Sequence, residues 1–141
     1  MGKTYQSVVI NAPVEKVWSA VRNFHDVSWA PNVLESCEVV GDLVGDQIGA
    51  KRVLNGAFHE TLQELSDLDH RIRYTIDNGP SPVSADDVQG YVGVLELAPV
   101  TEGGGTFVQW HSSWDGAEEA CDFCHNIYVA LLGDMKNSCE G

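Results

Sequence analysis

The chain has 141 residues, 43% hydrophobic and 21% charged, the profile of a globular domain rather than a disordered chain. Its 21 acidic against 8 basic side chains leave a net charge of -13, a surface that repels phosphate backbones and anionic headgroups, so nucleic acid and membrane are not expected partners. No apolar run approaches the roughly 18 residues that span a bilayer. Met1 to Gln6 lacks the basic-then-apolar order of a secretory leader. The expectation is one cytoplasmic domain over residues 1–141, with Cys37, Cys121, Cys124 and Cys139 as reduced thiols.

Thr4 to Asn11, with Val8, Val9 and Ile10, reads as a first strand. Pro13 suits the opening turn of a helix, and Val14, Val17, Trp18, Val21 and Phe24 follow at helical spacing. A second short helix or turn is expected over Val27 to Val33, broken by Pro31. From Glu35 the period changes. Segments Cys37–Val40, Ile48–Leu54, Phe58–Leu65, Arg71–Ile76, Tyr91–Leu97 and Thr106–Trp114 are short, β-rich and separated by turn residues. Asn55-Gly56 is the strongest hairpin signal, because both residues tolerate positive φ. Gly79 to Asp87, with Pro80 and Pro82, reads as the longest irregular loop and a candidate lid.

The last element is a helix from about Ala117 to Asn137, with Asp115 as its expected N-cap. Its apolar stripe runs Ala120, Cys121, Cys124, Ile127, Tyr128, Leu131, Met135. The order of elements is that of an α+β domain.

Val9-Ile10-Asn11-Ala12-Pro13-Val14-Glu15-Lys16-Val17-Trp18, then Trp29-Ala30-Pro31, resembles the opening of the START-like (SRPBCC) superfamily in its polyketide cyclase/dehydrase branch. Glu60 to Leu65, Arg73 to Ile76, Tyr91 to Pro99 and Val108-Gln109-Trp110 resemble its later strands, so the likeness covers nearly the whole chain. The resemblance implies a helix-grip fold: a curved antiparallel sheet of six to seven strands around the C-terminal helix, with two short helices after the first strand. It also implies an internal cavity for a small hydrophobic or amphipathic ligand. Similar folds occur in plant pathogenesis-related allergens, abscisic acid receptors and the onion enzyme that forms the lachrymatory sulfoxide. Enzymes, carriers and receptors all share it, so function rests on the site.

A three-residue hairpin connection, Asn55 to Ala57, sets Arg52 opposite Glu60 on one face; a two-residue turn pairs Arg52 with His59 instead. Tyr91 alternates with Gly93, Leu95 and Leu97 on an apolar face. These three positions match the arginine, glutamate and tyrosine of the onion enzyme and its plant relatives. The resemblance therefore implies Glu60 as acid/base, Arg52 holding it ionised and binding substrate oxygen, and Tyr91 donating a hydrogen bond. The implied chemistry is a cofactor-independent cyclisation, dehydration or isomerisation by a lyase or isomerase; the alternative is a non-catalytic carrier or sensor, and the bland reading of Arg52–Glu60 is a surface ion pair. Expected ligand-binding residues are Leu54, Leu62, Leu95, Trp110, Cys124, Ile127 and Leu131, in a monomer or homodimer.

Cys121-Asp122-Phe123-Cys124-His125 spells the CxxCH haem-attachment pattern, but both cysteines lie on the apolar stripe, where thiols act as small hydrophobes. No metal or cofactor is expected. His59 is expected to point outward, His70 to sit in a turn, and His111 to be a hydrogen-bonded strand residue near the rim. Trp18, Trp29, Trp110 and Trp114 fit either a pocket wall or a core.

Overall fold

The first strand, β1 (Gly2–Ile10), alternates buried and exposed residues and pairs along its whole length with the last strand, β7 (Thr106–Gly116). The remaining strands are β2 (Cys37–Val40), β3 (Lys51–Leu54), β4 (Phe58–Ser66), β5 (Arg71–Asn78) and β6 (Val88–Pro99). In this computed structural model, which describes residues 1–141, they form one curved antiparallel sheet in the order β1-β7-β6-β5-β4-β3-β2. A long helix, α2 (Ala120–Glu140), packs against it: the helix-grip α+β fold expected from the sequence.

Helix α1 (Val14–Val21) buries Val17, Trp18 and Val21 on the expected stripe. The Trp18 indole donates to Asp67 at 2.7 Å, and the Arg22 guanidinium grips the same carboxylate at 2.8 and 3.0 Å, fastening α1 to the β4–β5 turn. The second short helix does not form. Val27 to Leu34 is a run of turns, with bonds from Ala30 N–H to Val27 O and from Leu34 N–H to Ala30 O. Pro31 has no N–H to carry a helix forward. The next amide, Asn32, donates instead to the Asp134 carboxylate of α2 at 2.8 Å. Ser138 of α2 donates to Trp29 O, so the turn is clasped to the helix at two points.

The expected N-cap of α2 is displaced as well. Asp115 is paired with Gln89 inside β7, and α2 starts after Glu119, which makes no side-chain cap. Ladder pairing out to Gly116 occupies the residues that a cap at Asp115 needs free. Ile48 likewise lies in an exposed turn before β3, and Gly49 and Ala50 bond to Leu62 by backbone alone.

Inward-facing positions build the space between sheet and helix. They are Arg52 and Leu54 on β3, Phe58, Glu60 and Leu62 on β4, and Ile72, Tyr74 and Ile76 on β5; β6 and β7 add Tyr91, Gly93, Leu95, Val108, Trp110 and Trp114. Gly93 matters here for what it lacks. A Cβ at that position would run into the Tyr74 ring, so the bare backbone of β6 lets Tyr74 lie across the sheet toward α2.

Candidate functional site

The hairpin β3–β4 sets the charged end of the site. Asn55 and Gly56 take φ of 54° and 66°, and Leu54 pairs with Phe58, which makes the connection three residues long. Arg52 therefore stands opposite Glu60, both facing inward and both buried. The Arg52 guanidinium gives two hydrogen bonds to Glu60 Oε1, from Nε at 2.9 Å and Nη2 at 2.7 Å, and a third from Nη1 to Phe24 O at 2.9 Å. Its plane lies over the Phe24 ring, 3.8 Å from the centroid, so an aromatic face helps to offset the desolvation of the cation. Burial raises the Glu60 carboxyl above its ordinary value; Arg52 opposes that shift without cancelling it.

A cavity adjoins this pair, between the sheet and α2. Its walls include Arg52, Glu60, Leu54, Trp110, Tyr91 and Cys124, with Ile127, Leu131, Trp29, Tyr74, Ile76 and Tyr128 completing an almost wholly apolar lining. Leu34 and Phe58, both partly buried, also border it. The room for centres of water-sized molecules is about 40 Å³, space for roughly three waters. A second void of about 20 Å³ lies toward α1, and Trp29, Arg52, Tyr74 and Trp110 border both.

Two residues expected on the cavity wall lie elsewhere. Leu95 borders the smaller void with Val21, Phe24 and Ile72. Leu62 is fully buried in the core, paired with Tyr74, and reaches neither space. Tyr74 and Arg52 border both spaces and stand between the smaller void, with its Leu95, and the larger cavity.

The neutral polar end joins Tyr91 and Trp110, both expected at the site, to Tyr74 and Tyr128, which the sequence reading did not single out as site residues. Tyr74 Oη and Tyr128 Oη are 2.8 Å apart, Tyr128 Oη and Tyr91 Oη 2.5 Å, and the Trp110 indole donates to Tyr74 Oη at 3.0 Å. Burial holds all three phenols well above their ordinary value of 10.0. The available signals were inward parity for Tyr74, shared with Ile72 and Ile76, and the α2 stripe for Tyr128.

The chain's family follows from a match that spans it. The model of the family described as "Polyketide cyclase / dehydrase and lipid transport" matches residues 1–140. The chain belongs to this family. Among solved structures, a protein of Nitrosospira multiformis is 48% identical, with a TM-score of 0.94 over 96% of this chain and 94% of its own. The protein XoxI of Bacillus cereus is 23% identical, with a TM-score of 0.80 over 98% of this chain and 95% of that one. The major latex-like protein 151 of Panax ginseng, at 13% identity and a TM-score of 0.76 over 96% and 95%, shares the fold. No curated protein matches the sequence. Family and fold are those of a ligand-binding domain.

The CxxCH residues of this family member are dispersed by the helix. Cys124 lies in the cavity wall beside the Tyr91 hydroxyl, Cys121 is only partly buried, and His125 Nδ1 bonds Gln6 Oε1 on β1 at 3.0 Å. Burial pushes the Cys124 thiol up, which keeps it protonated. His59 points outward, and His70 occupies a turn at φ 53°. His111 lies on the outer face, stacked on Tyr5 and 3.6 Å from Glu96, away from the cavity. No helix is long and apolar enough to cross a membrane.

Proposed function

We propose that this protein binds a small, largely apolar molecule between the sheet and α2 and carries out cofactor-independent proton transfer on it, as a cyclase, dehydratase or isomerase. Glu60 is the acid/base, Arg52 fixes one carboxylate oxygen and offers its charge to substrate oxygen, and Tyr91 donates a hydrogen bond. One observation carries the reading. Glu60 is a buried carboxyl on an apolar wall, with both guanidinium bonds on Oε1 and its proton affinity raised by burial. A carboxyl whose proton affinity is raised in this way is a better proton acceptor than a free one.

The cavity in this form leaves only about 40 Å³ for the centres of water-sized molecules, too little for a ligand of ring size. Binding therefore requires the walls to part, and Leu34, Phe58, Ile76 and Ile127 are the lining residues only partly buried. The Gly79–Asp87 loop is the proposed lid: its Val83 is buried, and Gly79 packs beside Val83 and Phe58.

Native mass spectrometry of the purified protein for a co-purifying small molecule supplies the ligand. Glu60→Gln is then expected to keep its affinity within about threefold and to lose at least about 100-fold in turnover. Wild-type kcat/KM should fall as pH drops through a value higher than that of a free glutamate, because the base form of Glu60 disappears there. Turnover that survives Glu60→Gln sinks the catalytic role.

A carrier or sensor is the second reading, favoured by the mutual saturation of the three tyrosine hydroxyls. Affinity for the co-purified molecule with no conversion of it, in wild type and Glu60→Gln alike, is the outcome that selects it.

A further inference from the structure

The hydrogen bonds of Glu60 are lopsided. Both guanidinium bonds from Arg52, at 2.9 and 2.7 Å, end on Oε1, and the other carboxyl oxygen, Oε2, takes none from any residue. Glu60 is only 5% exposed and borders the cavity from an inward-facing position of β4. No sealed side-chain nitrogen or oxygen of the protein lacks a hydrogen-bond partner. Oε2 has no partner, so it is not sealed, and the space beside it on the inward face is the cavity. A carboxylate oxygen only accepts, and leaving one unmet at such depth is costly. Arg52 has little more to give: Nε and Nη2 hold Oε1, and Nη1 holds Phe24 O. The three phenols of the lining bond to one another at the neutral end.

We infer that Glu60 Oε2 anchors a hydrogen-bond donor of the ligand, so that the site selects neutral molecules ending in a hydroxyl, such as a phenol or enol, over carbonyl compounds and hydrocarbons. The inference rests on the proposed ligand cavity and names the chemistry of the group bound there. A bond from O–H to a carboxylate oxygen is charge-assisted, shorter and stronger than a neutral one. A carbonyl has no proton to offer and faces Oε2 lone pair to lone pair. A hydrocarbon strips water from Oε2 and replaces it with nothing. A carboxylate ligand sets a second negative charge beside the first, and no cation other than Arg52 borders the cavity to receive it. The hydroxyl contact also puts the ligand's most acidic proton on the oxygen that the proposed base leaves free.

Three probes of one size separate the possibilities: p-cresol, p-xylene and benzaldehyde, titrated into the intact protein by calorimetry at about pH 8, where a carboxyl paired with a guanidinium is ionised. p-Cresol is expected to bind at least about fivefold more tightly than p-xylene, and benzaldehyde no more tightly than p-xylene. Glu60→Gln keeps the shape and, because Arg52 needs an acceptor, turns its amide nitrogen toward the cavity. A hydroxyl can accept from that amide, so p-cresol should stay within about threefold while benzaldehyde gains at least about fivefold. Arg52→Met/Glu60→Leu replaces the whole pair by apolar side chains and serves if Glu60→Gln does not fold. It should leave p-xylene within about threefold and cancel the p-cresol advantage. Wild-type p-cresol affinity no greater than that of p-xylene overturns the inference while leaving the cavity intact. So does benzaldehyde affinity unmoved by Glu60→Gln, or a p-cresol advantage that survives the double variant, which assigns it to the tyrosine hydroxyls. If none of the three probes binds, the cavity reading falls and takes this one with it.

Discussion

The two polar ends of the cavity are built in opposite ways. Arg52 and Glu60 are an ion-pairing couple only eight residues apart, brought face to face by one tight turn. The tyrosine run is neutral, and its bonded pairs are 36, 54 and 37 residues apart on four different elements. A buried ion pair is all-or-nothing: each partner is tolerable only while the other is present. A run of hydroxyls is graded, since each can trade one neighbour for another or for a ligand oxygen at small cost. The charged end is thus the stiff part of the site, and the hydroxyl end the part able to adapt to what enters.

That contrast is tested most severely at Arg52. Arg52→Ala should lose about 3–5 kcal/mol in urea unfolding at pH 7, because Glu60 is left buried without its cation. Glu60 already binds its proton more tightly folded than unfolded, so its contribution to stability declines as pH rises from the unfolded value to the folded one. Removing Arg52 takes away the charge that holds the folded value down. The deficit should therefore shrink at pH 5, and an equal deficit at pH 5 and 7 would refute the account of the charged end.

At the neutral end the sharpest probe is Gly93→Ala. The added Cβ meets the Tyr74 ring, and overpacking of this kind costs about 1–3 kcal/mol. The Trp110 indole N–H resonance should shift, since its acceptor moves. An unmoved indole signal would show that Tyr74 does not depend on the bare backbone of β6.

Gly56→Ala asks whether the turn alone holds the ion pair in register. Alanine at φ 66° costs about 1 kcal/mol, measurable as a lower urea midpoint with unchanged slope. A larger loss accompanied by exchange broadening at Arg52 would mean that the pair leans on the turn more than on its own bonds.

The smallest effects belong to the cysteines. Cys124→Ala should cost about 1 kcal/mol and Cys121→Ala less, in keeping with their burial. Neither should change absorption or metal content. A Soret band or stoichiometric zinc lost with either variant would turn α2 into a cofactor site.

Periodicity alone marked seven strands and the long helix, because alternation and helical spacing are written into neighbouring residues. Asn55-Gly56 announced the hairpin for the same local reason, and Arg52 and Glu60 with it, though whether they pair depended on one residue of turn length. That choice needed the fold. So did the choice between a short helix and a turn over Val27 to Val33, where Pro31 and the Asp134 clasp go with the turn. Inward parity pointed Tyr74, Leu62 and Leu95 alike toward the interior, and could not tell that one borders the cavity while the others fill core or a second void. Nothing in sequence spacing joins Tyr91, Tyr128, Tyr74 and Trp110. Their meeting depends on sheet register, on where α2 crosses the sheet, and on the missing Cβ of Gly93. The sequence by itself determined the strands, the long helix and the place of the β3–β4 turn, because those follow from contacts between near neighbours. Tertiary structure decided the size of the cavity and the hydroxyl run, because side-chain volume and hydrogen-bond geometry are settled only where distant segments pack together.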